Sequence, residues 1–159
     1  MRITEVLPQL PPDVTSYLLE SMFSALPLPV PNTPAARDSR DAAAVATLVA
    51  MRPANAADAM LAVQIILAHE TAMDLLRMAD RPDVSIGDYL RYCRQATSFM
   101  RIATSGRSLL LRIQTDREKA AKRRAATAPR PGMPKLKIVG YQHRVQMPPP
   151  PDPDDKLLH

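Results

Sequence analysis

Nine cations crowd positions 112–137: Arg112, Arg117, Lys119, Lys122, Arg123, Arg124, Arg130, Lys135 and Lys137. Only Asp116 and Glu118 offset them there. Guanidinium and ammonium donors at this density make contacts to phosphate that fall off with salt and carry little base-sequence information. The same cations also suit the negative pole at the end of a helix. The net charge of +5 is thus unevenly distributed. Residues 1–111 carry ten Lys and Arg against eleven Asp and Glu, residues 112–144 ten against two, and residues 145–159 one against three.

Other chemistry is sparse. His69-Glu70 looks like the start of a zinc-protease helix, but the position four after His69 is Met73. The remaining histidines, His143 and His159, lie in the tail, and a metal needs three or four ligands in suitable geometry. Cys93, the sole cysteine, falls beside Tyr92 and Ala96 on the apolar side of a helical pattern, so a small buried core position is expected for it. Four scattered glycines make no phosphate loop. Asp38, Asp41, Asp80 and Asp83 occupy helix starts and turns, where carboxylates have dipole and capping roles. No catalytic residue is nominated, and a non-enzymatic protein is expected.

The elements that must position the basic segment are marked by proline. Fifteen of the seventeen prolines lie outside residues 35–128. A proline inside a helix removes a backbone donor and costs about 3 kcal/mol, so the long proline-free stretches can be helical. Asp13 is expected to cap a short helix carrying Val14, Leu18, Met22 and Ala25 on one stripe. Pro27, Pro29 and Pro31 then alternate with Leu28 and Val30, which predicts an extended strap with its apolar side chains along the body. Thr33-Pro34 starts a second helix running to about Met51, broken by Arg52-Pro53. Asn55 caps a third, with Asp58 in its first turn. Leu61, Ile65, Ala68, Ala72, Leu75 and Ala79 form its seam, and Met60, Val63 and Leu67 widen the apolar face enough to require more than one neighbour.

Ser85 and Asp88 make a capping box at the start of a last helix that nothing interrupts before Pro129. Its seam is Tyr92, Ala96, Phe99, Ala103, Gly106, Leu110 and Ile113, with small residues that let the facing helix approach closely. A short turn makes the last two helices antiparallel. Because the last helix spans about 64 Å and its partner about 39 Å at 1.5 Å per residue, the charged end overhangs from about Leu111. Beyond Pro134, Leu136 to Val145 alternates like a β-strand broken at Gly140, and the final proline-rich tract reads as disordered.

Gly is scarce, Trp absent, and Phe23 and Phe99 are the only phenylalanines, so the core must be aliphatic and suits close-packed helices. A single cysteine excludes an intrachain disulfide. The start has no signal-peptide core, and the longest apolar runs fall short of about 20 residues. No membrane span is expected, and the default location is the cytoplasm. The expected fold is all-α: a helical bundle built on a long antiparallel helical hairpin, with a short C-terminal β-strand and proline-rich disordered ends. The divisions are residues 1–33 (short helix and strap), 34–128 (helical core with basic overhang), 129–147 (linker and strand) and 148–159 (tail).

Arg52-Pro53-Ala54-Asn55-Ala56-Ala57-Asp58-Ala59-Met60-Leu61-Ala62 and Ala68-His69-Glu70-Thr71-Ala72-Met73-Asp74 carry a likeness to known sequences. Over residues 37–78, and more weakly to 145, the chain resembles an uncharacterised family of small helical bacterial and prophage-associated proteins. Members follow this stretch with a second long helix and a Lys-led strand of alternating Val and His, of which only His143 is kept here. That resemblance implies no activity. The layout also resembles phage terminase small subunits, whose helical hairpins assemble into rings. Residues 34–52 depart from it in showing no clear helix-turn-helix. Two functions follow as expectations. One is a self-associating DNA-packaging-type protein that contacts nucleic acid through its basic segment. The other is a protein–protein adaptor whose basic run only keeps it soluble. Neither needs a cofactor, a metal or a small-molecule substrate.

Overall fold

A computed structural model describes residues 7 and 9–127 of the chain. Four helices follow one another: α1 (Pro12–Ala25), α2 (Pro34–Ala50), α3 (Ala56–Ala79) and α4 (Ile86–Thr127). The expected strand, the linker before it and the tail lie outside the described residues. Within them the fold is an all-helical bundle whose spine is the antiparallel pair α3 and α4, with α1 and α2 each packed on α3.

Local chemistry sets most boundaries. Thr33 Oγ1 accepts from the Ala36 N–H at 3.2 Å, and Asn55 Oδ1 accepts from the Asp58 N–H at 2.9 Å. At the start of α4 the Asp88 N–H donates to Ser85 Oγ at 3.1 Å. The Asp88 carboxylate accepts from the Ser85 hydroxyl at 2.9 Å, not from a backbone donor as in the full capping box. α1 corrects an expectation. It begins at Pro12 with Pro11 as its cap residue and no capping side chain, and Asp13 sits inside the first turn. Proline at the first helical position supplies the fixed φ and needs no donor satisfied there.

The seam of α4 follows the expected alternation. Ala96, Ala103 and Leu110 are buried, and Tyr92, Phe99, Gly106 and Ile113 are half-buried. Gly106 marks a close approach of the two long helices. A β-carbon built there would lie 2.8 Å from Ile65 Cγ1, well inside van der Waals contact. The need for several neighbours around α3 is also met: Ala59, Ala62, Val63, Ile65 and Ile66 join one core with Leu18, Leu19 and Met22 of α1 and with Ala44, Val45 and Leu48 of α2. By length and composition α3 could cross a membrane, against the expectation that no segment could. Here it is the helix on which the other three pack.

The common core reaches Ala68 on α3 and Ala103 on α4. Ala72, Ala79 and Ala96 are buried outside that cluster, so the far end of the hairpin is a two-helix tip. Cys93 consequently is half-buried, not a core residue. With Met73, Leu76, Asp80 and Tyr89 it lines a shallow groove of about 490 Å³. The proline strap differs from expectation too. The Arg40 guanidinium donates to the carbonyls of Leu26 and Pro27 at 3.2 and 2.9 Å, turning the backbone oxygens toward α2. Leu26 is buried, but Leu28 and Val30 point outward at 59% and 78% exposure.

Candidate nucleic-acid interface

The basic segment divides at Arg117. This guanidinium turns back onto the start of α3 and donates to Asp58 Oδ2 at 2.6 Å and Oδ1 at 3.2 Å. Asp58 is 3% exposed, and its Oδ2 also accepts from the Ala54 N–H at 3.0 Å. The Arg117 hydrogen bond, helped by the Ala54 donor and the Arg117 charge, holds the Asp58 carboxyl below the usual carboxylate range, against the upward pull of its burial. One turn earlier, Gln114 Nε2 donates to the carbonyls of Met51 at 2.8 Å and Arg52 at 3.2 Å. Gln9 donates from the other side to the Pro53 carbonyl.

These contacts hold the loop between α2 and α3 in an unusual shape. Arg52 has φ of +49°, the left-handed region common just past a helix end but usually filled by glycine. Its N–H donates to the Val49 carbonyl at 3.0 Å, and Pro53 after it is buried. Gln114 thus satisfies carbonyls that the α2 terminus leaves without helical partners.

The consequence for the basic segment is a shorter overhang than expected. α4 stays attached to the body as far as Arg117, and residues 118–127 project beyond it, exposed at every position. Ten residues at 1.5 Å each make this arm about 15 Å long. It carries Lys119, Lys122, Arg123 and Arg124 against Glu118. Lys119 Nζ lies 4.0 Å from Asp116 with both side chains about two-thirds exposed, a contact of little energetic weight. Lys122, Arg123 and Arg124 have no carboxylate within salt-bridge distance among the described residues. Arg112 is exposed on the attached part of α4. Arg130, Lys135 and Lys137 lie outside the described residues. Of the nine candidate cations, then, the structure commits Arg117 to an internal contact and brings Lys119, Lys122, Arg123 and Arg124 together on one arm.

Sequence reasoning placed Asp58 near a helix dipole and missed its pairing with Arg117, as it missed the role of Gln114. No local pattern signals either, because both contacts depend on the register of α3 against α4. For other chemistries, His69 is exposed, and no cluster of three His, Cys, Asp or Glu residues occurs among the described residues. Comparison with protein-family models, curated proteins and solved structures gives no match to this chain.

Proposed function

We propose that this is a non-enzymatic, self-associating cytoplasmic protein that contacts nucleic acid through its basic arm, in the manner of a phage DNA-packaging, terminase small-subunit-like component. One observation carries the reading. Residues 118–127 continue as helix past Arg117 with every side chain exposed, and among the described residues the cations there have no carboxylate partner beyond the 4.0 Å contact of Lys119 with Asp116. A helical arm of this kind delivers phosphate contacts without reading bases. Self-association is supported by apolar side chains that the bundle leaves uncovered, notably Ile86 at 82%, Leu90 at 49%, Ile102 at 56% and Leu109 at 47%. The test is titration of the chain into a labelled DNA duplex at several salt concentrations, together with light scattering for its mass. Salt-steep binding by an oligomer supports the proposal; a monomer that ignores DNA at low salt refutes it.

The tip groove favours a second reading, a protein–protein adaptor. Met73, Leu76 and Tyr89 stand 42%, 39% and 49% exposed around it, enough to seat an apolar side chain of a partner. That reading predicts failure to bind DNA at any salt and recovery of a partner that Leu76→Asp releases.

A further inference from the structure

The arm is the obvious cationic feature, but α4 carries a second one on its attached length. From Tyr89 to Thr115 the helix contains Arg91, Arg94, Arg101, Arg107 and Arg112 and not one Asp or Glu. Solvated helices commonly interleave opposite charges three or four residues apart. Around Arg94 and Arg101 those positions hold Leu90, Arg91, Thr97, Ser98, Thr104 and Ser105, none able to neutralise a guanidinium.

At 3.6 residues per turn, Arg94, Arg101, Arg112, Lys119 and Arg123 fall within about 40° of one another. They share the face opposite the buried Ala103 seam, and all five are exposed. From Arg94 to Arg123 the row is about 44 Å long at 1.5 Å per residue. Its one internal acid is Asp116, beside Lys119. It begins just past the acidic hairpin turn of Asp80, Asp83 and Asp88, where Arg91 is already engaged by Asp88 at 2.9 Å. Among the described residues no carboxylate pairs with Arg94, Arg101, Arg112 or Arg123.

We infer that the outer face of α4 is a continuous phosphate-binding row, and that a nucleic-acid duplex lies along the bundle, not only at its end. This rests on the nucleic-acid reading above and extends it from a terminal arm to the whole length of the helix. A 44 Å row matches about 13 base pairs at 3.4 Å per pair on each strand. Guanidinium groups suit this task because their fork of donors fits phosphate oxygens.

The experiment compares three variants of the full chain for binding to a labelled 24-base-pair duplex between 50 and 300 mM salt. Each phosphate contact contributes about 0.9 to the slope of log affinity against log salt. Arg94→Ala/Arg101→Ala should therefore flatten the slope by nearly 2. Arg107→Ala, on the flank that lines the groove beside Thr47 and Met51, should leave it unchanged. Lys122→Ala/Arg124→Ala tests the arm separately. If the wild type binds and loses slope only with the arm variant, the row is refuted and the arm stands. If it loses slope only with Arg94→Ala/Arg101→Ala, the row stands and the arm contributes through Lys119 and Arg123, not Lys122 and Arg124. An equal loss with Arg107→Ala would mean diffuse attraction and overturn the row. No duplex binding, or binding only to phosphatidylserine vesicles, would overturn both.

Discussion

Arg117 holds Asp58 with two donors, at 2.6 and 3.2 Å, across 59 residues of sequence. The pair locks the register of the long hairpin at the point where α3 begins and the basic arm leaves the body. It also removes Arg117 from the nucleic-acid candidates, because its charge is answered by a buried carboxylate inside the fold.

Replacing Arg117 with Ala leaves the buried Asp58 carboxylate with the Ala54 N–H as its remaining partner, a loss of about 1–3 kcal/mol for such a group. The folded-state pKa of Asp58 is depressed. Its stabilising contribution is therefore present above the unfolded carboxylate value of about 3.9 and disappears as pH falls through the lower folded value. Urea unfolding should show a gap between wild type and Arg117→Ala at pH 7 that closes toward pH 2. A gap of the same size at both pH values would mean that packing, not the ion pair, is responsible. The variant should keep the salt slope of any DNA binding.

Gly106 and Ile65 should be strongly coupled. Alanine gains about 1 kcal/mol over glycine in a helix, but its β-carbon would press on Ile65 Cγ1 at 2.8 Å. Overpacking costs typically 1–3 kcal/mol. Gly106→Ala is expected to destabilise the wild type by about 1 kcal/mol, net of that gain, and to stabilise the Ile65→Ala variant by a similar amount. The same sign in both backgrounds would show that the helices are not in contact there.

Gln114→Ala should free the carbonyls of Met51 and Arg52 at the cost of about 0.5–1.5 kcal/mol per hydrogen bond lost. Hydrogen exchange should quicken in residues 51–55 and not at the α3–α4 turn. Uniform acceleration along the chain would contradict a local clamp.

Ile86 is 82% exposed at the start of α4, so Ile86→Glu should change stability by no more than about 0.5 kcal/mol. If the hairpin tip mediates self-association, the variant should lower the mass seen by light scattering at unchanged melting temperature. An unchanged mass would move the contact elsewhere.

The parts of this fold legible in sequence are those set by neighbours a few residues away. The caps at Thr33, Asn55 and Ser85 rest on contacts three residues long, and the α4 seam rests on the helical period. Arg117, Gln114 and the left-handed Arg52 were not legible, because each depends on which residue lies opposite once the hairpin closes. The outward turn of Leu28 and Val30 goes with the hold of Arg40, in the helix that follows, on the carbonyls of Leu26 and Pro27. Arg94 and Arg101 were hidden differently: averaging charge over residues 1–111 cancels them against acids elsewhere in the fold. Counting acids along α4 alone would have exposed them.

The exposed arm is open to a single decisive replacement. Lys119, Lys122, Arg123 and Arg124 are replaced together by Ala, and affinity for labelled duplex DNA is measured across salt beside the melting temperature. The arm's contribution should be lost, with a slope flatter by up to about 3.6 at 0.9 per contact and the melting temperature unchanged because no residue from 118 to 127 is buried. Unaltered binding, or a large loss of thermal stability, would contradict it.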